Sequence, residues 1–129
     1  MTDPHPADAA GSRDRRDDVA VVERPWGRFE QFTLNEPTTV KTITVEPGHR
    51  LSLQRHERRA ELWQVLRGPL EVTVDGRTWS AEVGELVWVP VGAVHRMTNR
   101  GEAPAQVLEL GFGEFDEDDI ERLEDDYSR

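Results

Sequence analysis

PLEVTVDGRTWSAEVGELVWVPVGAVHRMTN, residues 69–99, decides the fold class. PLEVTV (69–74) runs into Asp75-Gly76, a dipeptide whose backbone preferences suit a two-residue hairpin turn. RTWSAEV (77–83) then stops at Gly84, ELVWVP (85–90) at Pro90-Val91-Gly92, and AVHRMTN (93–99) at Arg100-Gly101. The same texture extends outward. VKTITV (40–45) alternates and ends at Pro47-Gly48, RLSLQRH (50–56) alternates, ELWQVLRG (61–68) leads into the quoted stretch, and AQVLELGF (105–112) closes the series. Short strands recurring every 8–12 residues or so, with Gly or Pro between them, predict an all-β sandwich or barrel.

The 129 residues suffice for one domain with a modest core. With no cysteine, disulfides, thiolate metal sites and cysteine nucleophiles are excluded. No stretch resembles a signal peptide and none is long and apolar enough to cross a bilayer, so a cytoplasmic protein is expected. The net charge of −10 argues against a nucleic-acid partner. Its distribution is uneven. Residues 1–18 hold five acids and three arginines, and residues 114–129 nine acids and two arginines, whereas residues 19–113 carry a net −1. The composition of residues 1–18, without an apolar period, predicts a disordered tail. In DEDDIERLEDDYSR (116–129), Ile120, Leu123 and Tyr127 fall at helical spacing, which predicts an acidic helical segment over 114–129 packed on a barrel of residues 19–113.

Strand parity then sorts the chemistry. Gln54 and His56 share a face, and after a turn at 57–60 the next strand can set Glu61 beside them, with Trp63 and Val65 on the same face. His95 shares its face with Met97 and Asn99. Two imidazoles, a carboxylate and an amide oxygen converging inside a barrel suit a divalent first-row metal such as zinc, cobalt, manganese, nickel or iron. A half-buried histidine on a strand also serves as an ordinary hydrogen-bonded core residue, and parity alone does not separate the two. Lys41, the only lysine, shares parity with Ile43 and Val45 and so faces the interior if those fill the core. There it acts as a base when desolvated, holds an anion when charged, or else reaches out to solvent.

Gly48, Gln54, His56, Glu61 and Gly68 are spaced as in the first motif of the cupin superfamily, with Gln54 in place of the usual first histidine. Gly84, Pro90, Gly92, His95 and Asn99 match the second motif. RPWGRFEQF (24–32), VKTITVEPGHRLSLQRHERRAELW (40–63), VPVGAVHRMTN (89–99) and EDDIERLEDDYSR (117–129) narrow the resemblance to the type II mannose-6-phosphate isomerase domain. It covers Arg24 to Arg129. Histidines usual in that family are missing at Glu57, Arg58 and Leu62, and Thr38-Thr39 replaces a Tyr-Lys pair.

The resemblance implies a double-stranded β-helix, or jelly-roll barrel, with one divalent metal ion on Gln54, His56, Glu61 and His95. It implies interconversion of mannose 6-phosphate and fructose 6-phosphate through an enediol, with Lys41, Glu61 and Arg59 catalytic. Arg59, Lys41, Trp63 and Arg129 would then bind the sugar phosphate. Such domains are often fused behind a sugar-1-phosphate guanylyltransferase domain, and a standalone form is expected here. A homodimer is expected too, formed through the exposed faces of residues 20–32, with no membrane partner. The alternative is a metal-containing cupin that binds a sugar or sugar phosphate without catalysis, as a sensor or partner module. An iron oxygenase is disfavoured by the shortage of histidines and by Gln54. Asn99 is expected to tie the backbone at the end of its strand.

Overall fold

The computed structural model describes residues 13–127. Eleven strands follow a short 3-10 helix at Arg15–Asp18. They are β1 (Ala20–Arg24), β2 (Gly27–Gln31), β3 (Thr39–Val45), β4 (Leu53–Arg55), β5 (Arg59–Arg67), β6 (Leu70–Val74), β7 (Arg77–Ala81), β8 (Leu86–Val89), β9 (His95–Thr98), β10 (Ala105–Gly113) and β11 (Glu121–Glu124). β1 and β2 form a hairpin of their own, one sheet runs β3-β10-β5-β8, and the other runs β11-β4-β9-β6-β7. All pairings are antiparallel. This is the all-β jelly-roll barrel that the turn signals and the motif spacing imply.

The turn chemistry behaves as its residue types require. Asp75 and Gly76 both take positive φ, at 46° and 80°, which is the backbone that a two-residue hairpin between right-twisted strands demands. Asp75 also holds the strand that carries His95, because its N–H donates to the Val94 carbonyl and its Oδ1 accepts from the Val94 N–H.

The core lies between the two large sheets, where Val45, Trp63, Val65, Leu70, Val72, Val87, Met97 and Val107 are buried. A second apolar cluster, Ala60, Leu62, Trp88, Leu110 and Phe112, occupies the outer face of the β3-β10-β5-β8 sheet. Val19 and Phe32 pack against it, which explains why both faces of β5 are apolar. Here the expected disordered tail is corrected for residues 13–18. Arg15 is buried with its guanidinium 4.0 Å from the Phe112 ring centroid, and it bonds Asp18 and Glu36. A cation over an aromatic face anchors this stretch without an apolar repeat. Residues 1–12 and Arg129 lie outside the described residues.

The expected C-terminal helix is also corrected, because residues 121–124 are a strand paired to β4. Its acids meet arginines that β4 and its neighbours present. Arg55 lies 2.6 Å from Glu121, Arg96 3.0 Å from Glu124 and Arg50 2.6 Å from Asp126. A helix would stack these carboxylates against one another, whereas the extended chain spreads them along a row of cations. Tyr127 Oη closes the segment 2.9 Å from His49 Nδ1.

Asn99 acts as expected. Its buried amide donates to the carbonyls of Val45 and Ala103 at 2.9 and 2.8 Å, while its Oδ1 accepts from the Gly101 N–H at 2.9 Å. Asn99→Ala leaves the Val45 carbonyl without its buried partner, so chemical denaturation should show a loss of about 1–3 kcal/mol. Thr73→Ala, at an exposed cross-strand pair, should stay within about 1 kcal/mol of the wild type.

Candidate metal centre

Three strands build the site. In register, Gln54 of β4 stands opposite His95 of β9, and Glu61 of β5 opposite Val89 of β8. His56 follows β4 directly, where its carbonyl accepts from the Gly92 N–H at 2.8 Å, so the two sequence motifs lock together. His56, Glu61 and His95 are each no more than 3% exposed, and one potential ligand atom from each lies within 4.8 Å of the others. Glu61 Oε2 is 3.4 Å from His56 Nε2, and Glu61 Oε1 is 3.6 Å from His95 Nε2.

The ring orientations follow from the hydrogen bonds on the far side. His56 Nδ1 lies 2.7 Å from the Asp119 carbonyl and His95 Nδ1 2.9 Å from the Ala93 carbonyl. A carbonyl only accepts, so each Nδ1 carries the proton in the neutral ring and each Nε2 the lone pair; both Nε2 atoms face Glu61, and that of His56 also accepts from Arg59. Burial pushes the His56 pKa down, partly offset by Glu61, which favours the neutral ligating form. Burial disfavours the Glu61 carboxylate, but the facing His95 ring, a hydrogen bond from Glu109, the His56 ring and the Trp63 N–H outweigh it and hold its pKa low. Lone pairs and a carboxylate directed at one point attract a cation, and the nitrogen and oxygen donor set fits a first-row divalent ion. Gln54, half-buried and lining the same cavity, makes no side-chain hydrogen bond among the described residues, leaving its amide oxygen available as a further donor.

The other expected site residues surround this centre. Trp63 is buried beside His95, with ring centroids 5.6 Å apart, and its Nε1–H donates to Glu61 Oε1 at 3.0 Å. It is a wall of the cavity that orients Glu61. Arg59 is buried as well. It donates to Glu61 Oε2 at 3.1 Å, to His56 Nε2 at 3.2 Å and to the Asp116 carbonyl at 3.2 Å, and its guanidinium lies 4.0 Å from the Phe115 ring centroid. Lys41 faces the cavity from its rim. Its side chain is 39% exposed, with Nζ 3.6 Å from Glu109 Oε2 and 3.8 Å from Glu117 Oε1. Together these residues line a cavity of ≈ 200 Å³.

Sequence reasoning missed Glu109. In register, Lys41, Glu109 and Trp63 form one row across β3, β10 and β5, so the acid faces inward. Alternation within AQVLELGF, with Ala105 and Val107 turned to the core, carried that signal. Burial first, then the neighbouring Glu61 charge and their shared hydrogen bond, push the Glu109 pKa up to about 8, while Lys41 and Arg59 oppose the shift. Of the two carboxyls, Glu109 holds the proton and Glu61 the charge. Glu109 Oε2 is buried without a hydrogen-bond partner.

The three positions that lack family histidines face away from the cavity. Leu62 belongs to the outer apolar cluster, and Glu57 and Arg58 sit in an exposed turn where their N–H groups donate to the Asp119 carboxylate.

An acid of pKa about 8 in the fold and near 4.5 when unfolded takes up a proton on folding at intermediate pH. The folded state then binds more protons, so this contribution weakens stability as pH rises from about 5 to 8. For metal-free protein, urea titrations across that range should show a falling midpoint, and Glu109→Gln should flatten the fall. At pH 8 that variant should match or exceed the wild type, by up to about 3 kcal/mol, because an amide there carries no buried charge. A wild-type midpoint that falls no more steeply with pH than that of Glu109→Gln would contradict the proton assignment, since the lowered His56 pKa acts on both proteins alike.

The profile of the family described as "Mannose-6-phosphate isomerase C-terminal" matches residues 12–125. The alginate biosynthesis protein AlgA of Pseudomonas aeruginosa is 42% identical over 123 residues, covering 95% of this chain and 25% of the relative. The mannose-1-phosphate guanylyltransferase ManC of Salmonella typhimurium is 40% identical over 109 residues, covering 84% of this chain and 23% of the relative. The chain thus spans about a quarter of the length of these curated relatives. Among solved structures, a cupin-superfamily sugar phosphate isomerase from Silicibacter pomeroyi is 28% identical with a TM-score of 0.56, over 61% of this chain and 52% of that one. The capsular polysaccharide assembling protein CapF of Staphylococcus aureus, 20% identical with a TM-score of 0.60 over 82% of this chain and 34% of its own, shares the fold. With its jelly-roll barrel and its inward-facing His-Glu-His cluster, the chain belongs to the cupin family of mannose-6-phosphate isomerase C-terminal domains.

Proposed function

We propose that the cavity is a metal-dependent aldose–ketose isomerase site acting on mannose 6-phosphate and fructose 6-phosphate or a closely related sugar phosphate pair. The observation that carries this reading is the union, in one cavity, of a buried donor set with a proton-carrying pair. His56, Glu61 and His95 form the first, and Glu109 with Lys41 the second. Aldose–ketose interconversion moves a proton between C1 and C2 of an open-chain sugar, so it needs a polarised carbonyl and a group that gives and takes that proton. A divalent ion held by Gln54, His56, Glu61 and His95 would supply the polarisation.

The chain's own residues supply the rest. Glu109, protonated near neutrality, and Lys41 face the cavity from adjacent strands and are the groups placed to carry the proton. Arg59 and Trp63 fix the two oxygens of Glu61 from opposite sides, so the carboxylate is oriented before substrate arrives. Ile43, Trp63 and Met97 line the cavity and limit water around the reacting carbons. The missing family histidines do not weaken this reading, since none of those positions borders the cavity.

The test is a coupled assay for conversion of mannose 6-phosphate on protein stripped of metal and reloaded separately with zinc, cobalt, manganese, nickel and iron(II). Turnover should require metal. His56→Ala and His95→Ala should each lose metal binding and turnover by more than about a hundredfold, since removing even an outer partner of a metal ligand costs 10–100-fold. Stoichiometric metal binding without turnover on either sugar phosphate would instead favour the non-catalytic sugar-phosphate-binding module.

A further inference from the structure

We propose that Arg122, on the C-terminal strand, is the anion anchor of the cavity and takes the substrate's phosphate; the sugar-phosphate assignment rests on the function proposed above. Register places it. Arg122 stands opposite Gln54, and Gln54 opposite His95, across β11, β4 and β9. Directly opposed residues of antiparallel strands project to one face, so Arg122 turns toward the interior with Gln54 and His95 and lines the same cavity. The pairing shifts between Arg122 and Glu124, and a bulge at that place re-aims the strand beside a functional site.

Its freedom is the second observation. The C-terminal stretch is crowded with acids, and the arginines around it are taken. Arg50 pairs with Asp126, Arg55 with Glu121 and Arg96 with Glu124. Arg58 faces Asp116. Within the cavity, Arg59 spends its donors on Glu61, His56 and the Asp116 carbonyl, and Lys41 lies between Glu109 and Glu117. Arg122 alone among the cavity's cations has no ion pair or side-chain hydrogen bond among the described residues. An exposed guanidinium with five free donors is the group best shaped for bidentate binding of phosphate.

The spacing agrees. Two strand intervals separate Arg122 from His95, about 10 Å. In an extended hexose 6-phosphate, seven single bonds separate C1 from phosphorus, about 9 Å at a projected advance of roughly 1.25 Å per bond. A sugar whose carbonyl end lies at the His-Glu-His cluster therefore brings its phosphate to Arg122.

The experiment is calorimetric titration of metal-loaded wild type, Arg122→Gln, Arg122→Lys and the remote control Arg77→Gln with inorganic phosphate, fructose 6-phosphate and fructose. Arg122→Gln should weaken both phosphate ligands about 10–100-fold, the loss of a charged hydrogen bond, while metal affinity and fructose binding stay at wild-type values. Arg122→Lys should recover part of the loss, since it restores the charge without the fork. It carries the same test should the glutamine variant misfold. Wild-type phosphate affinity in Arg122→Gln, or no phosphate binding by the wild type, overturns the assignment. Phosphate binding that depends on Arg122 in a protein with no turnover upholds the anchor and removes the isomerase reading. Turnover with an unchanged KM in Arg122→Gln does the reverse.

Discussion

A carboxylate with almost no solvent exposure, faced by two imidazole lone pairs, is the constraint around which the barrel is arranged. Burying such a charge is costly unless every neighbour compensates. Each neighbour of Glu61 does so. Trp63 and Arg59 donate to its two oxygens, Glu109 gives up its own charge beside it, and backbone carbonyls turn the histidines so that their Nε2 atoms face it, as residues that would hold a divalent ion. The ladder fixes these relations, because Glu61 and Trp63 alternate on β5, Glu109 sits opposite Trp63 on β10, and His95 opposite Gln54 on β9. A one-residue slip of β5 would turn Glu61 outward and bring Leu62 in, exchanging the charged centre for the outer apolar face.

The acidic C-terminal segment takes on a second meaning in this light. By charge alone it is a solubility tail. In the structure it is a wall of the site, with the Asp119 carbonyl orienting His56, the Asp119 carboxylate holding the turn before β5, and Phe115 lying under both Arg59 and Lys41. Most of its carboxylates are paired with basic side chains: Glu121 with Arg55, Glu124 with Arg96, Asp126 with Arg50, and Glu117, which borders the cavity, with Lys41.

Much of this was legible in the sequence, for identifiable reasons. Gly and Pro at turns, and the Asp75-Gly76 hairpin, are local signals that tertiary context does not override, so the strand series from residue 40 to residue 112 could be read directly. Parity brought Gln54, His56, Glu61, Trp63 and His95 to one face because each lies within or next to a regular strand. The errors fell where long-range pairing decides. Ile120, Leu123 and Tyr127 have helical spacing, yet β4 and its arginines draw the segment into a sheet, which no local pattern announces. Arg15 anchors the N-terminal stretch through one aromatic ring 97 positions away, invisible to any periodicity. Glu109 showed its parity but not its neighbours, and only the neighbours make an inward acid meaningful.

The same geometry explains why the departures from the family pattern and the integrity of the centre are independent. Of positions 57, 58 and 62, where the resemblance leads one to expect histidines, the first two lie in the turn that Asp119 clamps through backbone N–H groups, a contact indifferent to side-chain identity. Leu62 points to the face opposite Glu61, where Val19 and Phe32 cover an apolar cluster that would pay for burying an imidazole. A histidine is therefore less suited to that position than leucine in this chain, whose N-terminal stretch closes over the sheet. The inward-facing row holds the centre: Arg59 and Trp63 orient Glu61, while Gln54 is left open to the cavity.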